Sequence, residues 1–384
     1  MHHQQRNAGL DLLRSCAIVP VIVYHTPLCS GLTEQLGFIG VEIFFVLSGF
    51  LVAAMIYERF DMIGSANAFA AFLANRWIRT FPLYFLFLGL NVLIARYYGV
   101  INPGSVDVVG NFTIVPDLGP YLVFAQNLTQ GGRAIGQEWF GASWTLSIEE
   151  WFYVLLPTVL LLAGLRGQGR DKTHAVIALC AVLIGFSLLA RASRYWGDAT
   201  LPFDDMYRRV LLLRLDTFCF GILAYVFVTG RRSWLGLDPR RHATRLLIAG
   251  EALATLTIAA YGTTATGPMF ERVFYLSLIP LSVALMLPAF HGMAITNARL
   301  AAFLKLISTR TYALYLGHLP VGLVFTVWIA PVTLWTLPLL LLLNLAWADL
   351  IYRLIERPIL QLRPKAVMGA ASHPASPMMD AARV

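Results

Sequence analysis

Charge is scarce in this chain. Asp, Glu, Lys and Arg make up 13% of its 384 residues, about half the share of an ordinary soluble domain. With 58% hydrophobic residues and a mean hydropathy of +0.67, that scarcity excludes a water-soluble globule of usual make-up. Cysteine is rare too: Cys16, Cys29, Cys180 and Cys219 are isolated, without C-x-x-C spacing, and point neither to a disulfide framework nor to a metal site. Short strands of alternating polarity are missing, which argues against an outer-membrane barrel. No internal repeat of solenoid or transporter type is evident. The first apolar run is not followed by a small-residue cleavage site, so it reads as a retained anchor rather than a removed signal peptide. Lysine is nearly absent, at three of 29 basic residues. The arginine bias suits phosphate recognition, although GC-rich coding would produce it as well. No continuous basic face exists outside the loops, so the net charge of +8 reads as a topogenic signal and a nucleic-acid partner is not expected.

What the chain does have is apolar length. Ten stretches of about the 20 residues that an α-helix needs to cross a bilayer lie near 10–28, 37–57, 81–98, 144–164, 174–190, 209–229, 246–264, 272–290, 311–330 and 334–354. The expected fold is therefore all-α, a polytopic transmembrane bundle. Basic residues concentrate in alternate loops: Arg59, Arg76 and Arg79; Arg166, Arg170 and Lys172; Arg231 to Arg245; Arg299, Lys305 and Arg310; Arg357, Arg363 and Lys365. By the positive-inside rule both termini are expected on the cytoplasmic side of a bacterial inner membrane. Residues 1–365 read as one membrane domain and 366–384, small and polar, as a disordered tail. The Gly- and Pro-rich loop from Gly99 to Ala142 falls on the outer side, placed to act as a lid.

The first span carries an acid, a base and an imidazole: Asp11, Arg14 and His25. A charge at mid-bilayer costs roughly 2.5–3.5 kcal/mol on insertion scales, which makes such groups candidates for function. Arg14 and His25 are eleven positions apart, which is only ~20° in azimuth and ~16 Å along the axis, so one helix face presents both at different depths.

Six further pieces occur in order. They are Phe38 to Leu51, containing Glu42 and Ser48; Arg76 to Tyr84, an R-x-x-R-x-x-P-x-Y run; and Trp144 to Tyr153, containing Glu149. Arg214-Leu215-Asp216, Tyr312 to His318 with Tyr315, and Ile355 to Pro358 follow. With Gly9 to Arg14 and His25, this series resembles the membrane-integral acyltransferase 3 family. Two positions depart from its pattern: Glu42 stands where Asp is usual, and Gly317 where Trp is usual. The resemblance implies transfer of an acyl group, commonly acetyl, from cytoplasmic acyl-CoA to a hydroxyl. The acceptor would be an envelope glycan, a lipid-linked sugar or a small molecule, as for the family's stand-alone members. Acyl-CoA would be a co-substrate, with no permanently bound cofactor and no metal.

Residue chemistry fits that expectation. Arg14, Arg76 and Arg79 share the inner side, and Arg76 and Arg79 share a helix face at i,i+3. The arginine donor fork matches the phosphates of coenzyme A; the blander reading of Arg76 and Arg79 is as topogenic anchors. An acceptor hydroxyl needs a base in the transition state, and His25 is the candidate. A carboxylate on its other ring nitrogen, Glu149 or Glu42, would fix the tautomer. Trp144, Ser48, His318 and Tyr315 are candidates to line the cavity, Trp144 being equally suited to an interfacial anchor. Arg214 and Asp216, two apart, are expected to pair with other spans. A proton-coupled transporter or flippase would also use buried His and carboxylates, but inverted repeats and paired broken helices are lacking.

Overall fold

The computed structural model describes residues 7–59, 66–101, 118–129, 140–162, 170–230 and 238–362. The described part is helical, with no strand among the described residues. The helices are α1 (Ala8–Tyr24), α2 (Leu32–Arg59), α3 (Ala66–Ile101), α4 (Gly119–Leu122), α5 (Ser143–Leu162), α6 (Arg170–Gly197), α7 (Leu215–Val228), α8 (Pro239–Ala260), α9 (Gly267–Met269), α10 (Leu276–Gly292), α11 (Ala298–Trp328), α12 (Leu337–Ile351) and α13 (Arg357–Gln361). Wide π-turns at Asp204–Arg208, Phe270–Tyr275 and Tyr352–Glu356 interrupt the regular helix. Every apolar stretch read from the sequence falls on a helix. Seven segments are long and apolar enough to cross a membrane, while α1, α5 and α7, with 17, 20 and 14 residues, stand outside that set. The expected lid begins as helix, since α3 runs on to Ile101, and most of it lies outside the described residues, as does the whole 366–384 tail.

Local rules account for the elements. Asn7 caps α1 by accepting from the Leu10 N–H at 3.1 Å, satisfying one of the helix's orphan donors. Pro20, Pro82, Pro157 and Pro320 sit inside helices, as membrane helices tolerate where neighbours re-satisfy the freed backbone groups. α2 and α7 cross in close contact at Gly49 and Gly221, where a Cβ would overlap the Phe218 and Val46 carbonyls. Only small residues allow two backbones to approach so closely.

The centre of the bundle is α2, α10 and α11, whose apolar windows are 61%, 56% and 56% buried; α8 is peripheral at 11%. Between α2, α6, α7 and α10 lies a polar layer with no exposure. There Arg214 Nη2 donates to both oxygens of Glu42 at 2.5 Å, and Arg191 donates to Asp216 Oδ2 and Ser277 Oγ at 2.6 Å each. Arg214 and Asp216 thus pair with different helices, as their spacing requires.

Candidate active site

A cleft of about 860 Å³ opens between α1, α2, α3, α5 and α11. Arg14, Arg76 and Arg79 all line it, together with Ser48, Glu149 and Tyr315. The arginines come from the first halves of α1 and α3, and α1 fixes the end: its cap, Asn7, donates to the His291 carbonyl at the close of α10 (2.7 Å). Each arginine meets the cleft in a different way. Arg14 is 3.6 Å from Asp11, whose carboxylate accepts from Ser308 at 2.6 Å. Arg76 is 3.7 Å from Glu149 and lies flat over the Tyr153 ring at 3.9 Å. Its Nε is buried with no partner among the described residues. Arg79, one helical turn on, is exposed at the cleft wall. The Arg76 Nε, unpartnered among the described residues, and the exposed Arg79 in a concave site suit an anionic ligand.

Glu149 accepts from Ser48 at 2.7 Å and from the Tyr153 hydroxyl. It therefore positions Arg76 and the cleft wall and does not hold an imidazole. The Thr145 to Tyr315 hydroxyl bond of 2.7 Å completes the wall, and Glu150, next in sequence, is buried outside the lining. Neither Glu150 nor Thr145 was singled out from the sequence, because the W-x-L-x-x-E-E run gives no means of ranking its two adjacent carboxylates.

Beyond Tyr315 the cleft gives way to a histidine pair. His25 caps α1, exposed, and its Nδ1 lies 3.1 Å from Nε2 of the buried His318 on α11. His318 Nδ1 faces the Tyr315 carbonyl at 2.6 Å, and His25 Nδ1 faces the Val21 carbonyl at 2.9 Å. A carbonyl can only accept, so in the neutral pair both Nδ1 atoms carry the proton. His318 Nε2 is then an acceptor behind His25, and His25 Nε2 is left with its lone pair outward. The arrangement fixes one tautomer and leaves His25 Nε2 free to accept a proton.

This corrects the expected supporting carboxylate. Glu42 faces α7 and is locked to Arg214, Glu149 is engaged in the cleft, and the group on the second ring nitrogen of His25 is an imidazole. His318 and Trp144 do not line the cleft. His318 lies behind Tyr315, with ring centroids 5.9 Å apart, and Trp144 is buried against Phe45. The aromatic wall missing at Gly317 is supplied by α12, since a Cβ there would come within 3.0 Å of the Trp347 indole.

An anion-suited cleft joined to an oriented imidazole inside a helical bundle defines the class, a membrane-embedded group-transfer protein. The acyltransferase domain family (Acyl_transf_3) matches residues 7–353, and the chain belongs to that family. It is an integral membrane protein. Among curated relatives it is 27% identical to the peptidoglycan O-acetyltransferase OatA of Listeria monocytogenes, over 91% of this chain and 55% of that protein. It is 25% identical to YrhL of Bacillus subtilis, whose name provisionally gives it the same activity, over 93% of this chain and 55% of that protein. A provisionally named O-acetyltransferase of Staphylococcus aureus matches at 25% identity over 95% of this chain and 59% of its own. The chain thus spans little more than half the length of the relatives it matches. No solved structure matches it.

Proposed function

We propose that this protein moves an acyl group, most simply acetyl, from acyl-CoA in the arginine cleft to a hydroxyl of a glycan at the opposite end of the bundle. The observation that carries the reading is the convergence of Arg14, Arg76 and Arg79 on one cleft whose far wall, Tyr315, adjoins the His25–His318 pair. The diphosphate and 3′-phosphate of coenzyme A match the arginine forks, and ~16 Å of rise from Arg14 to His25 suits an extended pantetheine arm. The peptidoglycan named in two relatives supports a glycan as acceptor.

In the reaction His25 Nε2 takes the acceptor hydroxyl proton as the oxygen bonds to the thioester carbon. The C–S bond then breaks, and the imidazolium returns the proton to the thiolate, releasing free CoA. His318 Nε2 accepts from His25 Nδ1–H and stabilises the transient cation. Two of the buried carboxylates, Glu42 and Asp216, are ion-paired to Arg214 and Arg191, which weighs against their serving as a proton relay.

The cleft then faces the cytoplasm, the bundle has ten spans with α1, α5 and α7 crossing among their longer neighbours, and both termini are cytoplasmic. Cys29, in the loop after α1, tests the orientation. With the other three cysteines replaced, it should react with an impermeant maleimide from outside intact cells, and labelling only after the inner face is opened would reverse the topology. For the activity, purified protein with acyl-CoA and an envelope glycan fraction should release CoA only when both are present. Acceptor-independent release at the same rate would refute the transfer.

A further inference from the structure

A second cavity, of about 570 Å³, lies at the end of the bundle away from the arginine cleft and has no role in donor binding. It is built from the end of α1, the start of α2, the 203–208 turn and the Tyr261 and Tyr275 segments. Its walls are rings: Tyr24, Phe38, Phe203, Tyr261 and Tyr275, with Phe38 to Tyr275 at 4.9 Å and Tyr261 to Tyr275 at 4.7 Å. Between them stand four polar groups, Glu34, Gln35, Asp204 and Arg208. Arg208 is 5% exposed and held by Asp204 at 3.2 Å, with its guanidinium carbon 4.6 Å from the Phe38 ring centre. Its Nε is buried without a hydrogen-bond partner among the described residues. The Tyr275 hydroxyl donates to Gln35.

This lining selects a chemistry. Arg208 is already paired with Asp204, which Arg209 also contacts at 3.4 Å, and Glu34 adds a second carboxylate to the lining, so among the described residues the cup holds no cation without a carboxylate partner to offer a phosphate. Its acceptors and donors are too many for a lipid chain. A sugar ring has flat C–H faces for the negative faces of aromatic rings and a rim of hydroxyls for Glu, Gln, Asp and Arg. Tyr24 lines the cup and touches His25 edge-on, with centroids 4.8 Å apart, so a sugar held there lies one side chain from the base.

We infer that this cup is the acceptor subsite and that it binds a neutral glycosyl unit of the glycan to be acylated. The inference rests on the transferase reading above and adds to it the acceptor's charge class and the residues that hold it. Tyr261 supplies a stacking face, and Glu34 and Gln35 receive hydroxyls.

The test uses the full chain in nanodiscs and saturation-transfer NMR with three probes: tri-N-acetylchitotriose, maltotriose and trigalacturonate. At least one neutral trisaccharide should bind, and trigalacturonate should bind more weakly. Tyr261→Ala and Glu34→Gln should each weaken binding roughly three- to tenfold, while Tyr261→Phe, which keeps the ring, should not. Acetyl-CoA binding, measured in the same samples, should stay at the wild-type value in all three variants and reports on folding. No transfer to either neutral sugar, preference for the acidic one, or equal binding by wild type and Tyr261→Ala would overturn the assignment. Loss of the donor reading has a separate signature: wild type that binds the neutral sugar in the cup and fails to bind acetyl-CoA.

Discussion

Two sets of charges lie inside this bundle, and they differ in how closely each is paired. In the α2–α6–α7–α10 layer, Glu42, Arg214, Arg191 and Asp216 have no exposed side-chain surface and pair at 2.5–2.6 Å. In the cleft, Arg14 and Arg76 stand 3.6 and 3.7 Å from their carboxylates and retain 21% and 11% side-chain exposure. The first set is sealed in the interior and offers no ligand access, although Arg191 Nε and Nη1, Arg214 Nε and Asp216 Oδ1 have no hydrogen-bond partner among the described residues. The second is held by longer contacts and opens on a cleft, as a site for a charged substrate has to be. Within one membrane protein, ionisable residues that look alike in sequence thus divide into structural and functional groups by the closeness of their pairing and their access to a cavity.

The largest expected effect breaks the chemistry and leaves both charge sets intact. His25→Ala should lower the rate of acyl transfer by about 10²–10⁴-fold without moving the melting temperature in detergent. Near-normal turnover would remove His25 as the base. Next comes the sealed layer. Arg214→Ala strands Glu42 in the interior and should destabilise the fold by about 3–5 kcal/mol, seen as a lower melting temperature and reduced recovery. An unchanged melting temperature would mean that the pair is not structural.

A smaller effect is expected behind the base. His318→Ala removes one of the two acceptors around His25 Nδ1–H, leaving the Val21 carbonyl, and should lower kcat by roughly tenfold with little change in the acyl-CoA KM. His318→Gln, whose carbonyl still accepts, should recover part of the loss. A change confined to KM would make His318 a packing residue. The mildest prediction sharpens the contrast from the sealed side. Glu42→Asp installs the acid usual in the family but withdraws it by one methylene from Arg214, and should cost about 1 kcal/mol of stability with kcat and KM kept. A large kcat loss with normal stability would bring Glu42 into the reaction.

Much of this division was legible in the chain and part of it was not. Helical phase places Arg76 with Arg79 and Arg14 below His25, because those relations are local and follow from 3.6 residues per turn. The apolar runs likewise map onto helices, although 14 and 17 residues for α7 and α1 fall short of a span by length alone. Partners distant in sequence were not legible. Arg214 lies 172 positions from Glu42, and His318 lies 293 positions from His25. Nothing in the local pattern says that residue 42 turns toward α7 or that an imidazole, rather than a carboxylate, backs the base. The shared cavity of Arg208 and Tyr24 was not legible for the same reason: an arginine in a loop and a tyrosine at a helix end come together only when α1, α2 and the 203–208 turn meet around the second cavity. The Gly317 departure is also explained only by packing, through Trp347 on α12.

The central claim is that the cleft arginines hold the phosphates of the acyl donor while His25 acts on the acceptor. Equilibrium binding of acetyl-CoA, acetyl-3′-dephospho-CoA and acetylpantetheine tests it on the purified full chain, with wild type, His25→Ala and the Arg76→Ala/Arg79→Ala pair compared. Affinity should fall stepwise as phosphates are removed from the ligand. His25→Ala should bind all three as wild type does, and the double arginine variant should lose the distinction among them. Acetylpantetheine binding as tightly as acetyl-CoA to wild type, or an undiminished phosphate preference in the double variant, would contradict the account.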